Sequence, residues 1–354
     1  MKKILVINPG STSTKIGVYE DETPVLIETL RHSAEKIAEF EKVADQFQFR
    51  KDVIVDVLSK NNVELKSLDG VVARGGLFKF IPSGTYGVND AMVEDVLNPT
   101  KGEHASNLGC LIAREIGDSL GVPSYIVDPV VVDEMNPLAR ISGMPEIERL
   151  SIFHALNQKA VARRYAKEVG KDYHDLNLIV AHMGGGISVG AHQKGQVVDV
   201  NNALNGEGPY SPERAGGLPV ADLVKLCFSG KYTEEEMLRK ITGKGGVVAY
   251  LGTNDMIEVE KRAMSGEKEA KLVFEGMAYQ TVKEIGACAA VLKGDVDQIL
   301  LTGGIVYSKP MMDLIVNKVQ FIAPVTLYPG EDELLALAQG ALRVLNGEEE
   351  ASIY

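Results

Sequence analysis

The chain has 354 residues, of which 45% are hydrophobic and 24% charged, a composition typical of a globular protein with a large buried core. Its 49 acidic and 37 basic residues leave a formal net charge of −12, and there is no long basic block. This balance argues against nucleic acid or an anionic membrane as the main partner, although a small cationic pocket for an anionic substrate stays compatible with it.

Strand-like apolar runs alternate with helical patterns along the whole chain. The predicted strands are 2–8, 15–20, 69–73, 124–128, 177–183, 196–201, 297–304 and 323–329. The predicted helices are 34–60, 89–97, 106–119, 151–169, 219–229, 233–241, 267–292 and 332–346. Because strands that alternate with helices form sheets covered by helices, the pattern predicts an α/β fold.

The cysteines and the chain start indicate where the protein works. Cys110, Cys227 and Cys288 lie far apart and fit neither a disulfide set nor a metal spacing, so we interpret them as buried thiols in a reducing compartment. The first ten residues enter a strand directly, with no signal-like apolar core, and no apolar run approaches the roughly 20 residues that cross a bilayer. We therefore expect a cytoplasmic protein without a membrane partner.

The first predicted turn has residue types that suit a phosphate. In INPGSTSTKIGVYE (7–20), Gly10 permits close approach of the backbone to a ligand, Ser11 to Thr14 offer hydroxyls, and Lys15 adds a positive charge. A Walker loop does not fit, because no glycine precedes Lys15 and a strand follows where that motif has a helix. A hairpin turn without a ligand is the alternative interpretation.

Residues 177–202 repeat the plan of the N-terminus: strand, Gly-rich turn, strand, turn, strand. Two such segments predict two duplicated domains, each offering a phosphate-binding hairpin to a shared cleft, although any α/β protein contains hairpins. Such a pair of turns resembles the actin-like ATPase superfamily, whose two domains are ribonuclease H-like and which includes sugar kinases and acyl kinases. The resemblance implies an active site in the interdomain cleft.

Seven short motifs in order carry a closer resemblance: INPGSTSTK, VVARGG, IVDPVVVDEM, SIFHALNQKAV, VAHMGGGIS, SPERAGGLP and LTGGI. With them the chain resembles the acetokinase family from residue 2 to about 346, its butyrate and branched-chain fatty acid kinases most of all. The resemblance implies a transferase that phosphorylates a short-chain carboxylate (butyrate, isobutyrate, valerate or isovalerate) reversibly with ATP and Mg²⁺, by in-line transfer. It also implies a homodimer or a larger homo-oligomer.

The chemistry of this reaction needs cations more than bases. A carboxylate is already ionised at neutral pH, so no general base has to remove a proton from it. The carboxylate must approach a polyanionic phosphate, and negative charge spreads over the equatorial oxygens in the transition state. We therefore expect arginine, lysine and histidine side chains at the site.

The resemblance assigns catalytic roles to Arg74, Asp128, His154, His182 and Arg214. Acetate kinases have R-V-V-H-G-G where this chain has VVARGG, which would place arginine at Val71 and histidine at Arg74. Whether Arg74 meets the acyl carboxylate or the phosphoryl group therefore stays open. A surface salt bridge for Arg74, a core histidine for His182 and a helix-orienting role for His154 are the alternatives.

The resemblance also assigns the nucleotide and metal contacts. ATP or ADP would be held by Asn8, Gly10, Ser11, Ser13, Lys15, Gly184, Gly185, Gly186, Asp255, Gly303 and Gly304. Mg²⁺ would be held by Asn8 and Glu333, although Glu331 and Asp332 leave the register open and an acidic helix N-terminus is the alternative. Ile257 stands where many members have arginine, so the adenine or ribose contacts must differ.

The acyl pocket would include Ala73 and Phe153. Ala73 takes the place of a valine in the acetate kinases, which leaves space for a longer chain. One methylene in a pocket is worth only about 1–3 kcal/mol, so overlapping use of several acids is expected. Glu103 and His104 fall either near another pocket segment or in an ordinary loop.

The sequence also leaves two alternative functions open and predicts two domains. An acetate or propionate kinase is the alternative within the family, and an actin-like ATPase without a metabolic role is the alternative outside it. The predicted domains are 1–150 with 335–354, the N-terminal acetokinase-type domain, and 151–334, the nucleotide-binding domain.

Overall fold

The computed structural model describes residues 1–99 and 104–354. The chain forms two compact units, the first made of Met1–Asp133 with Asp332–Tyr354 and the second of Glu134–Glu331. The second unit begins before residue 151 because the segment before that residue bonds to it. Asn136 donates its backbone N–H to Val198 O at 2.9 Å, and Arg149 forms an ion pair with Asp199 at 3.0 Å.

The described strands form two sheets, one in each unit. The strands are β1 (Lys3–Pro9), β2 (Ser13–Glu20), β3 (Thr23–Arg31), β4 (Gly70–Arg74), β5 (Thr85–Gly87), β6 (Ser124–Val127), β7 (Asn177–Met183), β8 (Ile187–Gln193), β9 (Gln196–Val200), β10 (Gln298–Gly303) and β11 (Val325–Pro329). The first sheet has the order β3-β2-β1-β4-β6-β5 and the second has the order β11-β10-β7-β8-β9.

Both sheets follow the same plan, as the sequence predicts. Each begins with an antiparallel meander, β1-β2-β3 in the first unit and β7-β8-β9 in the second. In each, the first strand of the meander pairs in parallel with a later strand, β4 or β10, which pairs in parallel with β6 or β11. β5 adds an antiparallel edge strand to the first sheet alone.

The helices are α1 (Ala34–Ala38), α2 (Phe47–Lys60), α3 (Asp90–Leu97), α4 (Leu108–Leu120), α5 (Pro137–Arg140), α6 (Ala155–Glu168), α7 (Val220–Cys227), α8 (Glu234–Thr242), α9 (Val247–Leu251), α10 (Met256–Met264), α11 (Lys268–Val291), α12 (Lys309–Val319) and α13 (Glu333–Leu345). The single predicted helix 34–60 is wrong. It is two helices, because only α2 has a buried face, which includes Ile54 and Leu58, while α1 has no buried residue.

Both faces of the first sheet are covered, which explains the continuous apolar run of β1. Leu5 and Ile7 lie in the cluster that also holds Ile54 of α2 and Ile112 of α4. The other face packs against α13, whose Leu337 is fully buried. In the second unit, all seven residues of β7 are buried. The packing therefore leaves the strand ends as the places where polar side chains can emerge.

The expectation of three buried thiols is wrong for one of them. Cys110 and Cys288 are buried, but Cys227 is exposed, because α7, which it ends, has no buried residue.

Candidate active site

The turn between β1 and β2 is closed by its own backbone. Gly10 donates its N–H to Ser13 O at 2.7 Å, and the side chains of Ser11 and Thr12 are exposed. Lys15 is also exposed, opposite Asn8 on the paired strand, and makes no ion pair within the described part of the chain. The turn thus presents hydroxyls and an ammonium group to solvent.

Three predicted site residues meet where β1, β4 and α13 come together. The parallel register pairs Ile7 with Ala73. Asn8 and Arg74 therefore lie near the carboxyl ends of neighbouring strands, at the same edge of the sheet. Asn8 Nδ2 donates to Glu333 Oε2 at 2.6 Å. Arg74 Nη1 lies 2.9 Å from Glu333 Oε1 and 3.1 Å from Oε2. The partner of Arg74 is thus a site carboxylate on the first turn of α13.

The geometry around the start of α13 separates the neighbouring acidic residues. Glu333 contacts both Asn8 and Arg74, with 21% of its side chain exposed. Asp332 is the N-cap of α13 and accepts a hydrogen bond from the Leu335 N–H at 3.0 Å. Glu331 belongs to the second unit, where its carboxylate lies 3.5 Å from His182 Nε2. Each acid thus has different partners, and Glu333 is the one that contacts Asn8 beside the first turn.

The residues at this place fit Mg²⁺ only as part of a shared ligand set. The Glu333 carboxylate and the Asn8 carboxamide supply oxygen atoms, the ligands that Mg²⁺ prefers, and the ion usually completes its shell with water and phosphate oxygens. In residues 1–99 and 104–354, no group of three or more His, Cys, Asp or Glu side chains is arranged to hold a metal. The donor set fits an ion that arrives with nucleotide phosphates.

Asp128 follows β6 at the same edge of the sheet. β6 pairs in parallel with β4, and its Val127 lies opposite Arg74. Asp128 has a φ of 37°, a left-handed conformation that aspartate tolerates better than most residues. Its buried Oδ1 accepts hydrogen bonds from Ser83 Oγ at 2.6 Å and from the Gly84 N–H at 2.9 Å. The carboxylate therefore orders the loop that leads into β5.

In the second unit, two histidines stack at the end of β7. The rings of His154 and His182 lie 3.8 Å apart, 14° from parallel. His182 Nδ1 is 2.8 Å from Asn157 Oδ1, an acceptor, so this nitrogen carries a proton and Nε2 faces Glu331. His154 Nδ1 is 2.9 Å from Ser188 Oγ at the start of β8. Both rings are thus held in fixed orientations by side chains on α6 and β8.

The Gly-rich turn after β7 is joined to the loop that carries Arg214. Ser211 Oγ donates to Gly185 O at 2.6 Å, and Gly184 donates its N–H to Gly186 O at 3.0 Å. A Cβ atom on Gly186 would lie only 1.9 Å from Arg214 Nη1, so the guanidinium needs glycine there. The arrangement places a cation directly over the turn.

Arg214 is held by one side of its guanidinium. Nη1 donates to Ala203 O at 2.6 Å, whereas the buried Nε has no hydrogen-bond partner among the described residues. Burial lowers the pKa of Arg214, and the nearby Glu213 carboxylate partly opposes this shift. A buried donor without a partner is costly unless something binds it, which makes Arg214 a strong candidate for contact with an anion.

The predicted nucleotide residues fall into two places. Gly303 has a φ of 97°, and a Cβ there would lie 2.4 Å from Met183 O, so the end of β10 packs directly against the end of β7. Gly304 is exposed and open around its Cα. Asp255 is the N-cap of α10 and accepts from the Ile257 N–H at 2.9 Å. The structure thus shows a capping role for Asp255, while its neighbour Asn254 donates to Glu213 at 2.6 Å.

The predicted pocket residues are both buried. Ala73 is fully buried in the cluster that includes α4, and a Cβ on Gly109 would lie 3.1 Å from the Ala73 Cβ. Since successive strand residues face opposite sides of a sheet, Ala73 lies on the face opposite to Arg74. Phe153, 3% exposed, precedes the N-cap of α6. Glu103 lies outside the described residues, and His104 caps the turn at Ala105–Asn107 by accepting from Ser106.

Several residues that support the site were not predicted. Asn157 holds His182, and Ser188 holds His154. Gln158 Nε2 donates to the same Ser188 Oγ at 2.8 Å. Asn157 follows His154 by three positions in the predicted helix 151–169, a spacing that places both on one helix face, so helical periodicity could have found it. Ser188 carries no comparable signal, because its role depends on a strand placed by tertiary contacts.

Comparison with known proteins finds a family model and full-length relatives that match this chain. The acetokinase family model matches residues 147–326. Butyrate kinase 2 of Clostridium acetobutylicum is 61% identical over 352 residues, covering 99% of each chain, and butyrate kinase 1 of the same organism is 61% identical over 354 residues, covering 100% of each.

Solved structures show the same fold. A crystal structure of Porphyromonas gingivalis acetate kinase has a TM-score of 0.79 at 20% identity, covering 98% of this chain and 100% of that one. A propionate kinase from Francisella tularensis has a TM-score of 0.73 at 18% identity, covering 96% and 99%. The predicted duplicated, actin-like α/β fold is confirmed.

Within residues 1–99 and 104–354, none of the helices combines the length and the apolar character needed to span a bilayer. The full-length relatives and the matched family model together show the family of the chain. The chain belongs to the acetokinase family.

Proposed function

We propose that the protein is an ATP-dependent kinase of short-chain carboxylic acids, with butyrate or a branched relative as the acceptor and with acyl phosphate and ADP as products. The observation that carries the proposal is the 61% identity to butyrate kinases over essentially the full length of both chains. The reaction is reversible, because acyl phosphates and ATP are both energy-rich.

The side chains at the two phosphate turns supply the positive charge that this transfer needs. Arg74 would orient either the acyl carboxylate or the transferred phosphoryl group, and Lys15 would neutralise a phosphate oxygen beside the first turn. Arg214 would donate hydrogen bonds to the equatorial oxygens of the transferred group. His182 would donate from Nε2 in its doubly protonated form, because Nδ1–H is already bonded to Asn157. His154 would position His182 through the ring stack, and Asp128 would keep the end of β6 in shape.

Asn8 and Glu333 are the residues that we propose for Mg²⁺. When bound there, the ion would neutralise part of the phosphate charge. Glu333 forms a charge-assisted pair with Arg74, so it orients the arginine as well. Gly10, Ser11 and Ser13 at the first turn would receive the phosphates.

At the second turn, the phosphates would meet Gly184, Gly185 and Gly186, and the adenosine part would lie near Gly303, Gly304 and Asp255. We also propose that the two compact units correspond to the N-terminal acetokinase-type domain, Met1–Asp133 with Asp332–Tyr354, and the nucleotide-binding domain, Glu134–Glu331. A cytoplasmic location and a homodimer or larger homo-oligomer follow from the family resemblance.

Ala73 and Phe153 are proposed to set the chain-length preference. Because Ala73 packs against α4 on the face opposite to Arg74, its size would act through the distance between α4 and β4. A valine there would push α4 outward and change the space next to the strand end. The Ala73→Val variant should therefore change the relative kcat/KM values for acids of different length, by no more than roughly tenfold, because a direct pocket contact of one methylene is worth about 1–3 kcal/mol and this effect is indirect.

The test is hydroxylamine-trapped acyl phosphate formation with Mg-ATP across acetate, propionate, butyrate, isobutyrate and isovalerate. A maximum at four or five carbons is expected. A maximum at acetate would make the protein an acetate kinase, and ATP turnover that is indifferent to every acid would overturn the acyl-kinase proposal in favour of an actin-like ATPase.

A further inference from the structure

Arg50 is a fully buried arginine of α2 that faces the back of the first turn. Its guanidinium makes six hydrogen bonds. Nη1 donates to Gly10 O at 2.8 Å and to Ser13 O at 3.1 Å, and Nη2 donates to Ser11 O at 3.0 Å. One side chain thus binds three of the backbone carbonyls of this turn.

The remaining bonds fix the guanidinium itself. Gln46 Oε1 accepts from Nε at 3.1 Å and from Nη2 at 2.8 Å, and Thr14 Oγ1 accepts from Nη1 at 3.1 Å. Among the described residues, none of the partners of Arg50 is a carboxylate. Burial lowers the pKa of Arg50 to about 10, still well above neutral pH. A buried positive charge without a counter-ion therefore lies behind the turn.

The direction of the carbonyls determines the direction of the N–H groups. In a trans peptide the C=O and the following N–H point in opposite directions, and the described residues contain no cis peptide. Since the carbonyls of Gly10 and Ser11 point towards Arg50, the N–H groups of Ser11 and Thr12 point away from it. Within the described part of the chain these two N–H groups donate to no other group.

We propose that Arg50 is a positioning residue for polyphosphate: it holds the turn so that the Ser11 and Thr12 N–H groups face the nucleotide phosphates, and its own charge attracts them. Successive free N–H groups in a turn form an anion-binding concavity, and a charge in a buried site is screened less than a charge in water. The inference rests on the proposed function only in taking the first turn as the phosphate-binding one.

The test measures binding of ATP, ADP and AMP to the full chain by calorimetry, without any acid. Arg50→Met should weaken ATP binding by at least about tenfold, the loss expected for charge-assisted hydrogen bonds, and leave AMP within about twofold. Arg50→Lys keeps the charge but has fewer N–H donors, and they are not held in a planar arrangement. Its ATP affinity should therefore lie between those of the wild type and Arg50→Met. Lys51→Met is the matched control, because it removes the same charge from the next residue, whose partner is Glu115.

Gln46→Met is a milder variant that keeps Arg50 and removes the acceptor that orients it. We expect it to weaken ATP binding about threefold with AMP unchanged, and it replaces Arg50→Met if that variant does not fold. Wild-type ATP affinity in the folded variants, or an equal loss for ATP and AMP, would overturn the proposal. Acyl phosphate formation by the wild type is measured separately. If the wild type forms none, the proposed function fails, but the comparison of ATP and AMP affinities among the variants still tests the role of Arg50.

Discussion

Arg214 combines two features that rarely occur together on the surface of a protein: partial burial and a guanidinium Nε without a partner in the described residues. Within residues 1–99 and 104–354, its guanidinium donates one hydrogen bond, to the carbonyl of Ala203. Leaving a buried donor unpaired costs about 1–3 kcal/mol, and a bound phosphoryl oxygen would recover that cost. The free energy that the unpaired donor costs in the unliganded protein would thus favour binding of an anion.

Arg214→Ala should lower kcat/KM for acyl phosphate formation about 10³-fold, since an arginine at a phosphoryl transition state is worth about 10³–10⁵ in rate. The coupled measurement of ADP release with butyrate checks this. Arg239→Ala is the control, because Arg239 is an exposed arginine paired with Glu235 on α8. A loss smaller than tenfold in Arg214→Ala would remove this residue from the proposed mechanism.

His32 makes the stability of the first unit depend on pH. Burial and the nearby Arg50 charge lower the pKa of His32 to about 4, from an ordinary value of 6.5. Its Nε2 lies 2.9 Å from Thr14 Oγ1, which also accepts from Arg50, so the Thr14 hydroxyl is free to donate to a neutral His32.

Between pH 6.5 and 4 the unfolded chain binds a proton at His32 that the folded chain excludes, so the free energy of unfolding should fall as the pH falls. The slope from this group approaches about 1.4 kcal/mol per pH unit at most. Urea titrations of the wild type and His32→Gln across this range test the point. Equal pH dependence in both proteins would contradict it.

At the scale of elements, each site is assembled from strand ends and helix starts. In the first unit, β1 and β4 end side by side, and α13 begins there with Glu333. In the second, β7 and β10 end together at Met183 and Gly303, and α6 begins at Ala155, with His154 as its N-cap. Parallel strands leave their carboxyl ends at one edge, which is where α/β proteins place ligands.

The Gly-rich turn after β7 should be sensitive to a single methyl group. In Gly186→Ala the new Cβ would meet the flexible end of Arg214, so we expect the guanidinium to move while the fold survives. The loss in kcat should be at least about tenfold, with the apparent Tm within a few degrees. Gly143→Ala, where nothing lies within 4 Å of a new Cβ, is the control. A fully active Gly186→Ala would show that the Arg214 position is not critical.

At the scale of the whole molecule, the C-terminal segment returns to the first unit and thereby brings Glu333 to Asn8. The second unit ends at Glu331, and Asp332–Tyr354 pack on the sheet that begins the chain. Leu334 and Leu337 of α13 are almost fully buried, which anchors the helix that carries Glu333. A side chain 325 positions away from Asn8 therefore becomes its hydrogen-bond partner.

Nucleotide binding should stabilise the whole chain, and part of this effect should need Mg²⁺. At 100 times Kd, Mg-ADP adds about 2.7 kcal/mol to the free energy of unfolding, so the apparent Tm should rise, and EDTA should remove much of the rise. In Glu333→Gln the EDTA-sensitive part should shrink, while Asp313→Asn, an exposed carboxylate of α12, should leave it unchanged. The same EDTA effect in Glu333→Gln and the wild type would contradict the assignment of Glu333 to the metal.

Secondary-structure elements that depend on neighbouring residues could be predicted from the sequence, and those that depend on contacts distant in the chain could not. The strands β1 and β7 were predictable because their apolar runs are local: β7 is buried throughout, and Ile4 to Ile7 of β1 are buried. β3 was predicted only as the third strand of the repeated plan and received no bounds, because it is an edge strand whose largely exposed residues leave a weak pattern. The break between α1 and α2 was missed because it depends on which half of the segment finds a sheet to pack against.

The sequence by itself determined the alternation of strands and helices, the two hairpins with their small residues, and the polar residues at strand ends. These are properties of neighbouring residues, and backbone sterics and apolar periodicity act over short distances. Only the tertiary structure decided that Glu333 meets Asn8 and Arg74, and that Arg50 holds the first turn from behind. These contacts join residues far apart in the chain, and packing of the helices on the sheets brings them within hydrogen-bond distance.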